Sequence, residues 1–191
     1  MPEAVLTAPG WFGKLPALGD FASRRLPSAF VHALDAWLQQ GLAAAVEARG
    51  ADWLDLYLRA PPRRFWIAAG LLERRAWSGV LAPSVDGVGR RFAFTVAAPA
   101  PDPQAVLDAP AWCDALEALA RRLFDEGFGV AELERGVAAF GLPPGAGRAA
   151  QASRGSLWWH GDRPQERLRF PALPPPAAFA TLFALGPTMK A

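Results

Sequence analysis

Cysteine is nearly absent from this sequence, because Cys113 is the single one among 191 residues. One thiol excludes an intramolecular disulfide and any zinc cluster built from cysteines. Histidine is scarce as well: His32 and His160 are the only two, and they stand far apart in the sequence. Because metal sites need clustered ligands, we expect no metal site and no cofactor.

Lysine is also rare, since Lys14 and Lys190 are the only two among 20 basic residues. The other basic residues are arginines, and 18 acidic residues reduce the formal net charge to +2. A net charge this small gives no broad field that would capture nucleic acid or an acidic membrane. The composition therefore predicts no nucleic-acid partner.

Long apolar runs and targeting signals are missing too. Residues 1–8 contain no basic stretch followed by an apolar one, which a signal peptide would need. The longest apolar stretch, residues 29–46, is interrupted by His32 and Asp35 and is not a membrane span. We expect a cytoplasmic protein without direct membrane insertion.

Large apolar residues are abundant instead. Apolar residues make up 52% of the chain and charged residues 20%, with eight tryptophans and twelve phenylalanines. This composition is typical of a folded globular protein rather than a disordered one. We expect a single domain over residues 1–191, in which a proline-rich spacer at 171–176 leads to a C-terminal helix.

The apolar spacing predicts both helices and strands. Ser28 is expected to cap a first helix whose buried face carries Phe30, Leu34, Trp37, Leu38, Leu42, Ala45 and Val46. Further helices are predicted at 53–59, 109–124, 130–140 and 177–185, and strands at 11–15, 65–68, 77–81, 92–97, 157–160 and 168–170. A turn-rich segment is expected after residue 15, and a stiff connector at 99–103. Mixed elements of this kind indicate an α/β sandwich with a mixed, partly antiparallel sheet flanked by helices.

Familiar enzyme signatures are not present. No serine has the flanking glycines of a nucleophile elbow, and Phe92 stands where a dinucleotide fingerprint starting at Gly87 needs its third glycine. A hydrolase using Asp20 and Asp86 as paired acids stays open as a hypothesis, because such a pair performs acid–base chemistry only where the two carboxyls meet. The sequence motifs therefore indicate no catalytic residue.

One short segment concentrates residues that suit binding or loop shaping. It contains Gly13, Lys14, Pro16, Gly19, Asp20, Phe21 and Arg24. Glycines allow sharp turns or close approach of a partner, whereas Asp20 would equally well cap a turn and pair with Arg24. Ser84, Asp86 and Arg90 form a second group, which would equally well bind a partner or shape a loop.

Two aromatic runs are interpreted structurally. Residues 63–66 and 74–77 interleave arginine with aromatics, which we interpret as edge-strand arginines that screen buried rings. Trp158 and Trp159 are adjacent on a predicted strand and so face opposite sides. We expect one of them in the core and the other exposed as an anchor for a partner.

These motifs together resemble the TagF family, which is associated with type VI secretion in Gram-negative bacteria. The resemblance lies in residues 11–16, 19–21, 24–27 and 35–38, then 77–86 and 88–92, and again 156–159 and 173–183. It covers nearly the whole chain in the expected order. It implies a three-layer α/β fold with no assigned catalytic residue and no fused phosphatase.

The resemblance also implies a function. Members of the family are held to repress the secretion machine after translation, by binding its forkhead-associated (Fha) protein. We expect the segment 13–24 at that interface, with Lys14, Arg24 and the exposed tryptophan of the pair as its strongest contacts. The alternative is an anion or phosphopeptide sensor that uses Lys14, Arg24 and Arg90 as a clamp.

Overall fold

Seven strands form one sheet in the computed structural model, which describes residues 6–15, 20–50, 52–85, 91–127, 129–146, 153–161 and 163–183. The strands are β1 (Gly10–Lys14), β2 (Phe21–Arg24), β3 (Arg63–Ile67), β4 (Trp77–Val85), β5 (Arg91–Pro99), β6 (Ser156–His160) and β7 (Arg163–Phe170). Their order across the sheet is β2-β1-β5-β4-β3-β6-β7, and every pairing is antiparallel. The α/β fold is confirmed, but within the described strands the expected mixed sheet is an antiparallel one.

Helices cover both faces of this sheet. They are α1 (Ser28–Arg49), α2 (Asp52–Arg59), α3 (Pro103–Leu107), α4 (Pro110–Asp125), α5 (Val130–Phe140) and α6 (Phe179–Leu182), with a 3₁₀ turn at Pro176–Ala178. One half of the core joins the sheet to α4 and α5, and the other half joins it to α1, α2 and α6. Phe65 and Trp66 illustrate the division, since these neighbours on β3 belong to opposite halves. The three layers implied by the resemblance are therefore present.

Periodicity located most elements, although several local details differ. Ser28 is the first residue of α1 and not its cap, because extended Pro27 (φ −61°, ψ 146°) occupies the cap position. Residues 21–24, expected in a turn-rich segment, form β2. Residues 103–107, expected in a stiff connector, form α3, which Asp102 caps by accepting a hydrogen bond from the Gln104 amide at 2.9 Å.

The proline-rich segment is attached to the rest of the fold. Trp37 on α1 donates its indole hydrogen to the Pro174 carbonyl at 2.8 Å, and the Ser156 hydroxyl donates to the Ala172 carbonyl at 2.6 Å. The predicted terminal helix is shorter than expected within the described residues, because α6 ends at Leu182. Its Phe179 ring packs so closely on Gly41 of α1 that a Cβ there would lie 2.1 Å from a ring carbon.

Candidate partner-binding surface

Strands β1 and β2 form an antiparallel hairpin at one edge of the sheet. Lys14 pairs with Phe21 at the turn end of this hairpin, and Trp11 pairs with Arg24 at the other end. All five residues of β1 are buried, whereas β2 is largely exposed. Gly13 permits the local backbone, with φ at +148° and a hypothetical Cβ only 3.0 Å from the Cα of Phe94. The structure thus presents β2 to solvent on a buried support.

Three phenylalanines meet at the turn end of the hairpin. The Phe21 ring lies 5.7 Å from Phe12 and 4.5 Å from Phe92, and the latter two lie 5.3 Å apart, all between centroids. Phe21 is nevertheless 43% exposed, the highest value among the exposed large apolar residues of the described chain. An aromatic side chain that is held by two other rings and still faces water is suited to anchoring a partner.

Lys14 belongs to this aromatic group but not to its exposed surface. Its side chain is buried, and its ammonium lies 4.7 Å from the centroid of the Phe21 ring. The expectation that Lys14 itself makes an exposed contact is therefore wrong. A cation over an aromatic face is attracted by the ring quadrupole, so Lys14 helps to hold Phe21 in place.

Asp20 and Arg24 lie at opposite ends of β2. The Asp20 carboxylate accepts a hydrogen bond from the Phe21 amide at 2.7 Å. The turn that Asp20 was predicted to cap lies outside the described residues. The ion pair expected between Asp20 and Arg24 is not formed, although both residues lie in the described part of the chain. Arg24 is exposed beside the paired Trp11.

Ser84 reaches the same region from β4. It pairs with Phe92 on β5, and its hydroxyl is buried without a hydrogen-bond partner among the described residues. Four other candidates, Pro16, Gly19, Asp86 and Arg90, lie outside the described residues. The predicted anion clamp and the predicted pairing of Asp20 with Asp86 each depend on one of these residues.

Arg25, which the sequence reasoning missed, ties the hairpin to α5. Its guanidinium donates to both carboxylate oxygens of Glu134, at 2.5 and 3.1 Å, and its Nε donates to the Pro9 carbonyl at 2.8 Å. The Trp11 indole donates to the same carboxylate at 2.5 Å. Arg25 also has φ at +60°, a left-handed conformation that residues other than glycine rarely adopt. These bonds stabilise that conformation and fix the end of β2.

Arg25 also sets the charge state of Glu134. Its hydrogen bonds lower the pKa of the Glu134 carboxyl; burial opposes this, and the Trp11 hydrogen bond reinforces it. We therefore expect Glu134→Gln to lower the free energy of unfolding at pH 7 by about 1.5–3 kcal/mol, the usual range for a charge-assisted hydrogen bond.

The difference in the free energy of unfolding between wild type and Glu134→Gln should depend on pH. A carboxyl whose pKa is lowered by folding stabilises the protein fully above its ordinary pKa of 4.5, and loses this effect as pH falls through the lower, folded-state value. Urea unfolding at pH 7 and at pH 3 measures both ends of this range. A difference that stays constant down to pH 3 would contradict the ion pair.

Both Trp158 and Trp159 are buried, so the expected exposed anchor is wrong. Trp158 stacks on Trp37 of α1 at 5.2 Å, and Trp159 belongs to the half of the core under α4 and α5. Their side chains do face opposite sides of β6, as predicted. Because helices cover both faces of the sheet, neither tryptophan reaches solvent, and neither belongs to the hairpin surface.

Arg63 and Arg64 do not lie on an edge strand either. β3 is an interior strand between β4 and β6, and both arginines are buried. The Arg64 guanidinium donates to Glu117 at 2.8 Å and to Asp114 at 2.5 Å, both on α4. Burial lowers the pKa of Arg64, but these two hydrogen bonds outweigh it and hold the pKa above its ordinary value. This ion cluster connects the centre of the sheet to α4.

Among the described residues, no three His, Cys, Asp or Glu side chains come together in a way that would hold a metal ion. None of the described helices is both long enough and apolar enough to span a bilayer. The hairpin presents the exposed Phe21 and Arg24 on the buried strand β1.

Comparisons with known proteins identify the family. The sequence model of the TagF N-terminal domain, described as type VI secretion system-associated, matches residues 10–140. The crystal structure of PA0076 from Pseudomonas aeruginosa PAO1 is similar to this chain, with a TM-score of 0.79 and 32% sequence identity. That similarity covers 96% of this chain and 97% of PA0076. A search of curated proteins found no match.

The chain therefore belongs to the TagF N-terminal domain family, as the motifs predicted. The matched range includes the hairpin, the aromatic group and Glu134, whereas β6 and β7 lie beyond it. The structural similarity covers 96% of this chain, so it reaches well beyond residue 140.

Proposed function

We propose that this protein is a non-enzymatic, cytosolic repressor of a type VI secretion system, and that it acts by binding the Fha protein. Membership of the TagF N-terminal domain family supports an association with this system. The observation that carries a binding role is Phe21, a large ring that stays 43% exposed on a supported hairpin. Such an aromatic anchor, surrounded by ordered side chains, is typical of interface hot spots.

Repression would follow from competition. A protein that binds the unassembled form of a scaffold more tightly than the assembled form shifts the equilibrium away from assembly, and only by that difference in affinity. No covalent step is needed. The hairpin suits this role because Arg25 and Glu134 fix its far end while Phe12 and Phe92 support its turn end. Little conformational freedom would then be lost on binding.

The hairpin predicts the effect of a charge at its exposed ring. Phe21→Glu should weaken binding to the Fha protein of the same organism by about tenfold or more, because a hot-spot ring is replaced by a solvated carboxylate. Calorimetric titration measures the affinity, and circular dichroism confirms that the variant is folded.

A matched control separates this site from general apolar exposure. Leu58 on α2 is 39% exposed, close to the value for Phe21, and lies on a different element. Leu58→Glu should bind Fha as the wild type does. Equal weakening by both variants, or none by Phe21→Glu, would move the interface away from the hairpin. No binding by the folded wild-type protein at high micromolar concentration would reject direct Fha capture.

A further inference from the structure

The two edges of the sheet differ in how they are protected. The β7 edge carries Pro164, Glu166, Arg167 and Arg169, and its pairing with β6 is irregular between Trp158 and His160. Proline, charge and irregular pairing are the usual devices that prevent an edge strand from pairing with another chain. β2, at the other edge, has the sequence Phe-Ala-Ser-Arg, with no proline and one terminal charge. The four-residue β2 has none of these three devices, apart from the charge of Arg24 at its end.

The outer side of β2 is also uncovered. β1 is its one strand neighbour in the described sheet, and three of its four residues are exposed. The Phe21 amide donates to the Asp20 side chain at 2.7 Å, and Asp20 is itself exposed. Since amides alternate in direction along a strand, the Ser23 amide points to the same outer side. An extended peptide would find hydrogen-bonding groups there for an additional strand.

The side chains along β2 indicate what such a peptide would carry. Phe21 offers an exposed ring at one end, and Arg24 offers an exposed guanidinium at the other. Three positions apart on a strand, they project to opposite faces. An added strand would therefore cover them with an apolar residue and an acidic residue that are also three positions apart. A second copy of this chain would instead bring its own Phe-Ala-Ser-Arg strand, which carries no acidic residue for Arg24.

We propose that β2 is the docking edge for an extended segment of the Fha protein, which adds an eighth strand to the sheet and carries an apolar and an acidic residue at that spacing. This inference rests on the proposed Fha binding. Main-chain hydrogen bonds would supply affinity, and Phe21 and Arg24 would supply specificity.

A proline substitution tests the main-chain bonds directly. Ser23→Pro removes the outer amide, while Ser23→Ala removes the hydroxyl and keeps that amide. Edge strands accept proline where the amide faces solvent, so both variants should fold. We expect Ser23→Pro to bind Fha about tenfold or more weakly, and Ser23→Ala to bind within about twofold of the wild type. Equal affinity of the two variants would overturn strand addition.

Hydrogen exchange on the wild-type complex gives an answer that does not depend on any variant folding. The Ser23 amide should exchange about tenfold or more slowly with Fha bound, while the amides of β7 stay unchanged. Protection elsewhere but not in β2 would overturn the docking edge and leave Fha binding intact. Protection of β2 in the concentrated protein alone would indicate self-pairing and overturn it too. Absence of any Fha binding by the wild type would reject the proposed function, and this inference with it.

Discussion

Gly79→Ala is expected to unfold most of the protein or to lower its free energy of unfolding by about 4 kcal/mol or more. Gly79 lies on β4 in the middle of the sheet, where it pairs with Phe65 on one side and Ala97 on the other. A Cβ at this position would lie 2.0 Å from the Val96 carbonyl oxygen and 2.8 Å from the Ala97 Cα. Both are backbone atoms, so relief requires β4 and β5 to separate. Folded domains have about 5–15 kcal/mol of stability in total, and the change removes a large part of it.

Gly129→Ala provides the matched control for this prediction. Gly129 has φ at −86°, which any residue adopts, and a Cβ there would meet nothing within 4 Å. The same chemical change should therefore shift stability by less than about 1 kcal/mol. Urea unfolding followed by circular dichroism compares the two. If Gly79→Ala unfolds at the same urea concentration as Gly129→Ala, β4 and β5 do not pack as closely at Gly79 as the structure indicates.

Elements with a clear apolar period could be predicted from the sequence. The helix expected at 130–140 is α5 (Val130–Phe140), and the one expected at 109–124 is α4 (Pro110–Asp125). Both have one apolar face and end at or near a glycine, so local residues determine them. The strands expected at 77–81 and 92–97 likewise lie within β4 (Trp77–Val85) and β5 (Arg91–Pro99).

The position of each strand within the sheet could not be predicted from the sequence. The expectations that were wrong have this as their cause. Arg63 and Arg64 were expected on an edge, but β3 is an interior strand, so their charges are buried and Arg64 pairs with α4. One of Trp158 and Trp159 was expected in solvent, but helical layers cover both faces of the sheet. A period of two reports which residues share a face, and it does not report what covers that face.

The candidate site was located from sequence only in part. The glycines and charged residues around Phe21 predicted a segment suited to binding or loop shaping, and this segment contributes to the exposed hairpin. The ion pair that fixes the hairpin joins Arg25 to Glu134, which are 109 residues apart. No local pattern relates two residues at that separation. Lys14 was expected to make an exposed contact, but it is buried. Among the described candidates, Phe21 is exposed instead, and Lys14 supports its ring.

Attachment of the hairpin to both helical layers has a consequence for the proposed repression. Arg25 ties its end to α5 on one face, while Phe12 packs in the half of the core under α1 and α2. A change in either layer would therefore alter the exposed strand. Because binding would select one conformation of β2, weakening the Arg25–Glu134 pair should reduce Fha affinity as well as stability.

The second large effect is expected at Arg64, where Arg64→Ala should lower the free energy of unfolding by about 3–5 kcal/mol. Glu117 is buried and takes its shortest ion pair, 2.8 Å, from Arg64, while Arg121 stands 3.7 Å away. Removing the guanidinium leaves that carboxylate buried with a distant and largely exposed partner. The loss of a buried ion's partner is far more harmful than the loss of an exposed pair.

Two variants establish that the buried charge, and not lost packing, causes this effect. Arg122→Ala breaks the exposed pair with Glu126 and should barely move the urea transition, because water solvates the remaining carboxylate. Arg64→Met combined with Glu117→Leu removes both buried charges while filling the space, and should recover most of the stability lost in Arg64→Ala. Asp114, the other partner, is 62% exposed and needs no replacement. If the double variant is no more stable than Arg64→Ala, the arginine stabilises the protein through its packing against β6 and α4, and the charge of Glu117 is incidental.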